Sequence, residues 1–274
     1  LVSPQGTSAR ARVANTLAYR RRKGTATMLE QLARDTTGWP AHAVEFFQRL
    51  ATTQYLNHLR AHNLRTPDLR DGNALELLGG AFETAAHTAE VRRIAPGRGR
   101  YNIPNVGRFL WRLGAYPVTQ AAPGAVAASP DGRYTFSPLK NDAPLFNVPQ
   151  TEREITHLAT ELNVPAQLRR RPLYDELEAR RQAIADGLDN ARDYFNEDPP
   201  LRVFVRMKAS DALSEIAPEA ILICDLSDPP TPIPEGWRRP PNAKVYTRQD
   251  GTTRNLPIGV AADPVLGRLA FAAG

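Results

Sequence analysis

The chain has 274 residues, with 31 Arg, 4 Lys, 29 acidic side chains and a formal net charge of +6. That length suits one large domain or two small ones, and 42% apolar with 7% aromatic residues is too much for a disordered chain. Its single Cys224 excludes an internal disulfide framework and a multi-thiolate metal site. Uncharged residues run longest from Leu113 to Pro130, where Pro117, Pro123 and Gly124 interrupt them, so no membrane span is expected. Leu1 to Gly24 is polar and arginine-rich without the apolar stretch of a signal peptide, and cytoplasmic synthesis is expected. Pro and Gly together make 42 residues, which calls for many turns and irregular connections.

The charge is unevenly placed. Residues 1–100 carry 15 Arg and Lys against 8 acids, whereas the remaining 174 carry 20 against 21. This first third is predicted to be helical. Ser8 to Arg22 has Val13, Leu17 and Ala18 on one stripe among arginines, with Gly24 as its stop. A second helix is predicted over Ala26 to Asp35, where Thr27 and Glu30 form a capping box and Thr25 is a competing cap. Leu29, Leu32 and Ala33 give it an apolar face. After Gly38-Trp39-Pro40, a third helix is predicted from Pro40 to Leu59, with Val44, Phe47, Leu50, Ala51 and Tyr55 at helical spacing. A fourth covers Asn73 to Val91.

Tyr101 to Pro149 holds seven prolines and short apolar runs, Gly107 to Leu113 and Arg133 to Phe136, predicted as strands. A capping box at Thr151 and Glu154 predicts a helix to Leu162, and a charged helix is predicted over Leu173 to Leu188. Strands follow at Leu201 to Met207, by alternation, and at Ala220 to Cys224, as a buried apolar run. Asp228 to Pro241, with six prolines, is predicted as a loop. Short strands are expected near Lys244–Thr247, Gly259–Ala261 and Leu266–Phe271. Helices first, then strands with one helical insertion, predict an α+β fold with two regions, residues 1–100 and 101–274.

Several chemistries can be weighed on these residues. His58 and His62, four apart, could face one metal, with Asp68 or Asp71 as a third ligand. However, Leu59 stands where a zinc hydrolase has Glu, and two histidines at a helix C-terminus, favoured there by its dipole, are the preferred reading. Cys224, inside an apolar strand, reads as an inert small hydrophobe. Gly97 to Arg100 lacks the third glycine of a dinucleotide loop. Paired acids such as Asp225 and Asp228 could serve a glycosidase-type site, but almost any chain offers such pairs. Nucleic acid has a stronger case: Arg20 to Lys23 form a basic run beside Tyr19, and Ile155 to Arg171 looks like a helix-turn-helix. Its supposed recognition helix would be stopped by Pro172 after about six residues. The eightfold excess of Arg over Lys is compatible with nucleic-acid contacts, with fixed carboxylate contacts, or with a GC-rich genome.

One segment is more specific. Arg12-Val-Ala-Asn-Thr-Leu-Ala-Tyr-Arg-Arg-Arg-Lys-Gly-Thr25, followed by Met28-Leu-Glu-Gln-Leu-Ala33, resembles the phage tail protein I family of P2-type contractile tails. That family has a helix ending in an Arg/His–Arg–x–Lys–Gly–Thr element and then a second helix of the Ala/Val–Leu–Glu–x–Leu type. Thr37-Gly-Trp-Pro40, Val44 to Phe47, Ala51 to His58, Asn102 to Gly107, Phe109 to Leu113 and Asp263 to Phe271 resemble a longer variant found with phage-tail-like contractile injection systems. The resemblance implies a non-enzymatic baseplate wedge component that needs no cofactor or metal. Its partners would be a J-type wedge subunit, the hub and spike, and the sheath. Nucleic acid is not expected among them, and the basic N-terminal helices leave nucleic-acid binding as the alternative. Assembly is expected in the cytoplasm, in a particle that is released or retained, and the chain is expected to be part of a longer polypeptide. The interface residues implied are Arg20, Arg21, Arg22, Lys23, Gly24, Thr25, Trp39 and Trp111. Pro-rich segments of the remainder are expected to serve as contact loops.

Overall fold

A computed structural model describes residues 9–58, 65–94, 98–126, 131–151, 155–189, 192–206, 212–230 and 237–272. The protein is α+β, with helices first and mostly antiparallel strands after them. It divides into two compact units, residues 1–114 with 149–165, and residues 115–148 with 166–274.

In the first unit, α1 (Ala9–Arg21) and α2 (Ala26–Thr37) meet at a four-residue corner. Gly24 sits there at φ +89, a left-handed conformation that costs other residues 1–2 kcal/mol or so. Thr25 is the cap of α2: its Oγ1 accepts from the Met28 N–H at 3.3 Å. The expected box of Thr27 and Glu30 does not form, because the Glu30 carboxylate is drawn into the interior instead.

The third helix expected over Pro40 to Leu59 is absent. Residues there form β1 (Ala41–Glu45), a 3-10 turn (Phe46–Arg49) and a second such turn (Leu56–His58). β1 pairs antiparallel with β2 (Val106–Leu110), from Ala41 opposite Leu110 to Glu45 opposite Val106. Residues at helical spacing do not share a side: Val44 is buried, while Phe47 and Tyr55 are exposed. Ladder bonds and the Glu30 carboxylate take the backbone groups that a helix would need, so tertiary contacts override the periodicity.

The expected helix over Asn73 to Val91 shortens to α3 (Gly72–Glu76), capped by Asp71 and followed by Gly79 at φ +73. Beyond it, a backbone bridge ties Leu50 to His87. The helix expected from Thr151 begins on residues 152–154, outside the described residues, and 155–160 are not helical. Ile155 N–H donates to Gln31 Oε1 at 3.0 Å and Ala159 N–H to Glu30 Oε2 at 2.9 Å, so both serve α2. With only a 3-10 turn at Glu161–Asn163, the first helix of a helix-turn-helix is missing. Pro172 does not stop a helix either, but lies in the first turn of α4 (Arg170–Asp186), where a missing N–H costs nothing.

The second unit is built on a five-stranded sheet. β3 (Gly124–Ala125), β4 (Arg133–Thr135), β11 (Arg268–Phe271), β10 (Val260–Asp263) and β7 (Ile221–Ile223) lie in that order, and only β10 with β7 is parallel. α4 lays Leu173 and Leu177 on this sheet, in one apolar cluster with Ile221, Ile223, Val260 and Leu269. The expected strand at Leu201 shrinks to β5 (Phe204–Val205), paired with β6 (Ser214–Glu215), though Leu201 and Val203 stay in the core. A hairpin of β8 (Ala243–Thr247) and β9 (Thr253–Pro257) packs Tyr246 and Leu256 against Ala185 of α4.

Candidate assembly interface

α1 is docked on α2 by its polar side. Asn15 and Tyr19, one turn apart, both reach Asp35: Asn15 Nδ2 donates to Oδ2 at 2.7 Å, and the Tyr19 hydroxyl donates to the same oxygen. Gln31 Nε2 donates to both carboxylate oxygens at 3.1 Å. Burial works against the Asp35 charge, but the bonds from Tyr19, Asn15 and Gln31 outweigh it and hold this carboxyl below the ordinary range. Burial, then the adjoining Asp35, pushes the Tyr19 phenol up to about 12.

The apolar stripe of α1 therefore points outward. Val13 is 77% exposed and Leu17 66%, and Ala18 beside them is also exposed. Around this stripe, residues 9–23 carry six cations and no acid. Arg20 and Arg21 are exposed in the last turn, where the helix dipole favours them, and Lys23 is exposed just beyond. Arg22 is turned inward: its Nη2 donates to the Ile155 carbonyl at 2.7 Å and to Thr27 Oγ1 at 3.1 Å. Gly24 and Thr25 shape the corner, and Thr25 Oγ1 also donates to the Arg22 carbonyl at 2.9 Å. Trp39, half-buried, lies under the Arg112 guanidinium at 5.3 Å, and Trp111 stacks on Phe82 at 5.6 Å.

Beneath this surface the first unit is held by two buried carboxylates that spacing does not reveal. Glu30, 1% exposed, accepts from the Ala43 N–H at 2.8 Å and the Ala159 N–H at 2.9 Å, and meets His42 Nδ1 at 2.8 Å. Glu83, 3% exposed, accepts from the Tyr101 hydroxyl at 2.5 Å and meets His87 Nε2 at 2.5 Å. Burial, then the neighbouring Glu83, raises the Tyr101 phenol to about 12. The His87 and Tyr101 rings stack at 3.6 Å, and His42, Phe82 and Trp111 form a second stack.

Large apolar side chains are few inside this unit. Among the described residues four are buried (Met28, Val44, Phe46 and Val164), and fourteen are exposed.

The other candidates are placed as follows. His58 lies in the 3-10 turn with its ring 5.8 Å from that of Tyr55, and His62 is outside the described residues. No group of three or more metal-ligating side chains occurs among the described residues. Burial, then Asp263 and Asp225, raises the Cys224 thiol to about 11. Asp225 is held low first by the Ser227 N–H, and Asp228 first by Arg268, so neither is poised to donate a proton at neutral pH. Arg268 itself is a structural cation, paired with Asp142 at 2.7 Å and stacked on Trp237 at 4.4 Å. Among the described residues no helix is long and apolar enough to cross a membrane.

No protein-family model, curated protein or solved structure matches the chain.

Proposed function

We propose that this chain is a structural, non-enzymatic baseplate component of a contractile phage tail or phage-tail-like injection system, and that the first unit docks on neighbouring baseplate subunits. The observation that carries this reading is the outward face of α1, where Val13 and Leu17 stand exposed among Arg20, Arg21 and Lys23. Aliphatic anchors ringed by cations suit a protein partner with an acidic rim, because burial of the anchors contributes affinity and the charges set register. The resemblance of residues 12–33 to the tail protein I element supplies the kind of assembly, with a J-type wedge subunit, hub, spike and sheath as neighbours.

The test is to replace Arg20 and Arg21 together by Glu in cells that produce the particle. Both side chains are exposed, so the purified variant should melt within about 0.5 kcal/mol of the parent. Assembled particles should be lost, as counted by electron microscopy. Intact particles at the parent yield would sink the proposal.

Nucleic acid on the same face is the second reading, favoured by six cations without an acid in residues 9–23. It requires DNA affinity that falls steeply with salt, by nearly one log unit per log unit for every phosphate neutralised. The aliphatic pair between the cations favours protein, since a phosphate backbone offers nothing to bury it.

A further inference from the structure

Among the described residues, the ribbon of β1 and β2 leaves one backbone edge open. The Phe46 N–H donates to the Asn105 carbonyl at 3.1 Å, and the Trp111 N–H to the Pro40 carbonyl at 3.1 Å. In an antiparallel ladder the bonding direction alternates along the strand. Gly107 and Phe109 therefore bond toward β1, and the N–H and C=O groups of Val106, Arg108 and Leu110 point the other way. Among the described residues no strand lies on that side, since the sheet holds only β1 and β2.

Among the described residues, side chains of the face beside this edge are exposed too. Ala41 and Ala43 of β1 are buried, whereas their cross-strand partners Leu110 and Arg108 stay exposed. Along β2 the exposed side chains read apolar, cation, apolar: Val106 is 48% exposed, Leu110 41%, and Arg108 between them makes no ion pair among the described residues. From within, the Phe46 ring locks the strand, lying so close to Gly107 that a Cβ there would sit 2.9 Å from it. An edge of unpaired backbone groups between two exposed apolar side chains invites pairing, and Arg108 sets the charge that a paired strand must meet.

We propose that β2 receives an extended segment of a partner subunit as a third strand, with an acidic residue opposite Arg108 between two apolar ones. Backbone groups of Val106, Arg108 and Leu110 bind the added strand, and its side chains select it, as in other strand additions. A second copy of this chain is a poor occupant. Pairing β2 with β2 about a two-fold axis at Arg108 sets two guanidiniums directly opposite, which is destabilising. The surface is separate from the α1 face and stands on the ladder geometry alone, whatever particle the chain enters.

The probe is a seven-residue peptide of alternating threonine and valine with a central glutamate, titrated into the full chain and followed by amide NMR and hydrogen exchange. The amides of Val106, Arg108 and Leu110 should shift and gain protection at millimolar peptide. The same peptide with a central lysine should bind about fivefold more weakly, one cross-strand charge pair being worth up to about 1 kcal/mol. Arg108→Glu, an exposed substitution, should reverse that order. A peptide N-methylated along its pairing edge should not bind. Equal affinity for the two charges, undiminished binding of the methylated peptide, or no protection at these amides overturns the proposal. Concentration-dependent protection without peptide overturns it in favour of self-pairing.

Discussion

The two units are held together by different physics. In the second, fifteen large apolar side chains among the described residues are buried against ten exposed, and α4 and the sheet share one continuous core. Its charges are folded into that core as satisfied networks: Arg181, fully buried, donates to the Tyr246 hydroxyl at 2.7 Å, the Ile221 carbonyl at 2.8 Å and Glu178 at 2.8 Å. Asp263, also fully buried, takes both arms of Arg170 at 2.8 Å and the Leu226 N–H at 2.9 Å. In the first unit the proportion among the described residues is four buried to fourteen exposed, and carboxylates and stacked rings fasten the segments. Hydrogen bonds net only about 1 kcal/mol each, whereas a buried large side chain contributes about 1.5–3 kcal/mol. Among the described residues the second unit thus has the larger apolar interior, whereas the first leaves more of its large apolar side chains exposed than buried.

Truncating matched leucines probes this contrast with the largest expected effect. Leu177→Ala, in the core of the second unit, should cost about 2–5 kcal/mol in urea unfolding. Leu17→Ala, on the exposed stripe, should change stability by less than about 0.5 kcal/mol. Equal costs would break the comparison. The single thiol offers a reporter of the second unit alone. With its pKa near 11, Cys224 should react with a thiol reagent at pH 8 about a hundredfold more slowly than a free cysteine. Its labelling should accelerate only in denaturant that opens the second unit, and rapid native labelling would contradict a closed core there.

Glu30→Gln tests the polar fastening of the first unit. An amide cannot accept from the Ala43 and Ala159 N–H groups on both sides, so one donor is orphaned at a cost of about 1–3 kcal/mol. Hydrogen exchange should rise at whichever of those two amides is orphaned and stay unchanged in β10 and β11.

The smallest effect is the pH range of α1 docking. Tyr19 has a folded pKa raised from 10.0 to about 12, so its contribution is complete below pH 10 and lost as pH climbs through 12. Asp35 is depressed when folded, so its contribution is present above the ordinary carboxyl range and lost as pH falls through its lowered value. Tyr19→Phe should cost about 1 kcal/mol and remove one late-titrating phenol from the tyrosinate absorbance curve. An unchanged curve would mean that α1 is not docked through Tyr19.

Legibility in the sequence followed the range of the forces involved. α1, α2 and α4 lie close to their expected positions because caps, a glycine stop and apolar spacing are local signals. The apolar run at Ile221–Ile223 likewise forms the expected buried strand. The third helix was illegible as a strand because Glu30, a residue of the preceding helix, and β2, about sixty residues on, claim its backbone. Among the four basic residues of the corner, nothing local separates Arg22 from Arg20, Arg21 and Lys23. Its inward turn depends on the carbonyl of Ile155, 133 positions away. Val13 and Leu17 show the same limit: periodicity places them on one stripe, but only packing tells whether a stripe faces a core or solvent.

By itself, the sequence determined the order of helices before strands, the basic first third, and a Gly–Thr corner between two helices. Each depends on composition or on contacts within a few residues. Tertiary structure decided which cations remain outside, which carboxylates are buried, the return of 149–165 to the first unit, and the open edge of β2. Those outcomes are set by hydrogen-bond partners and packing surfaces that meet only after distant segments have folded together.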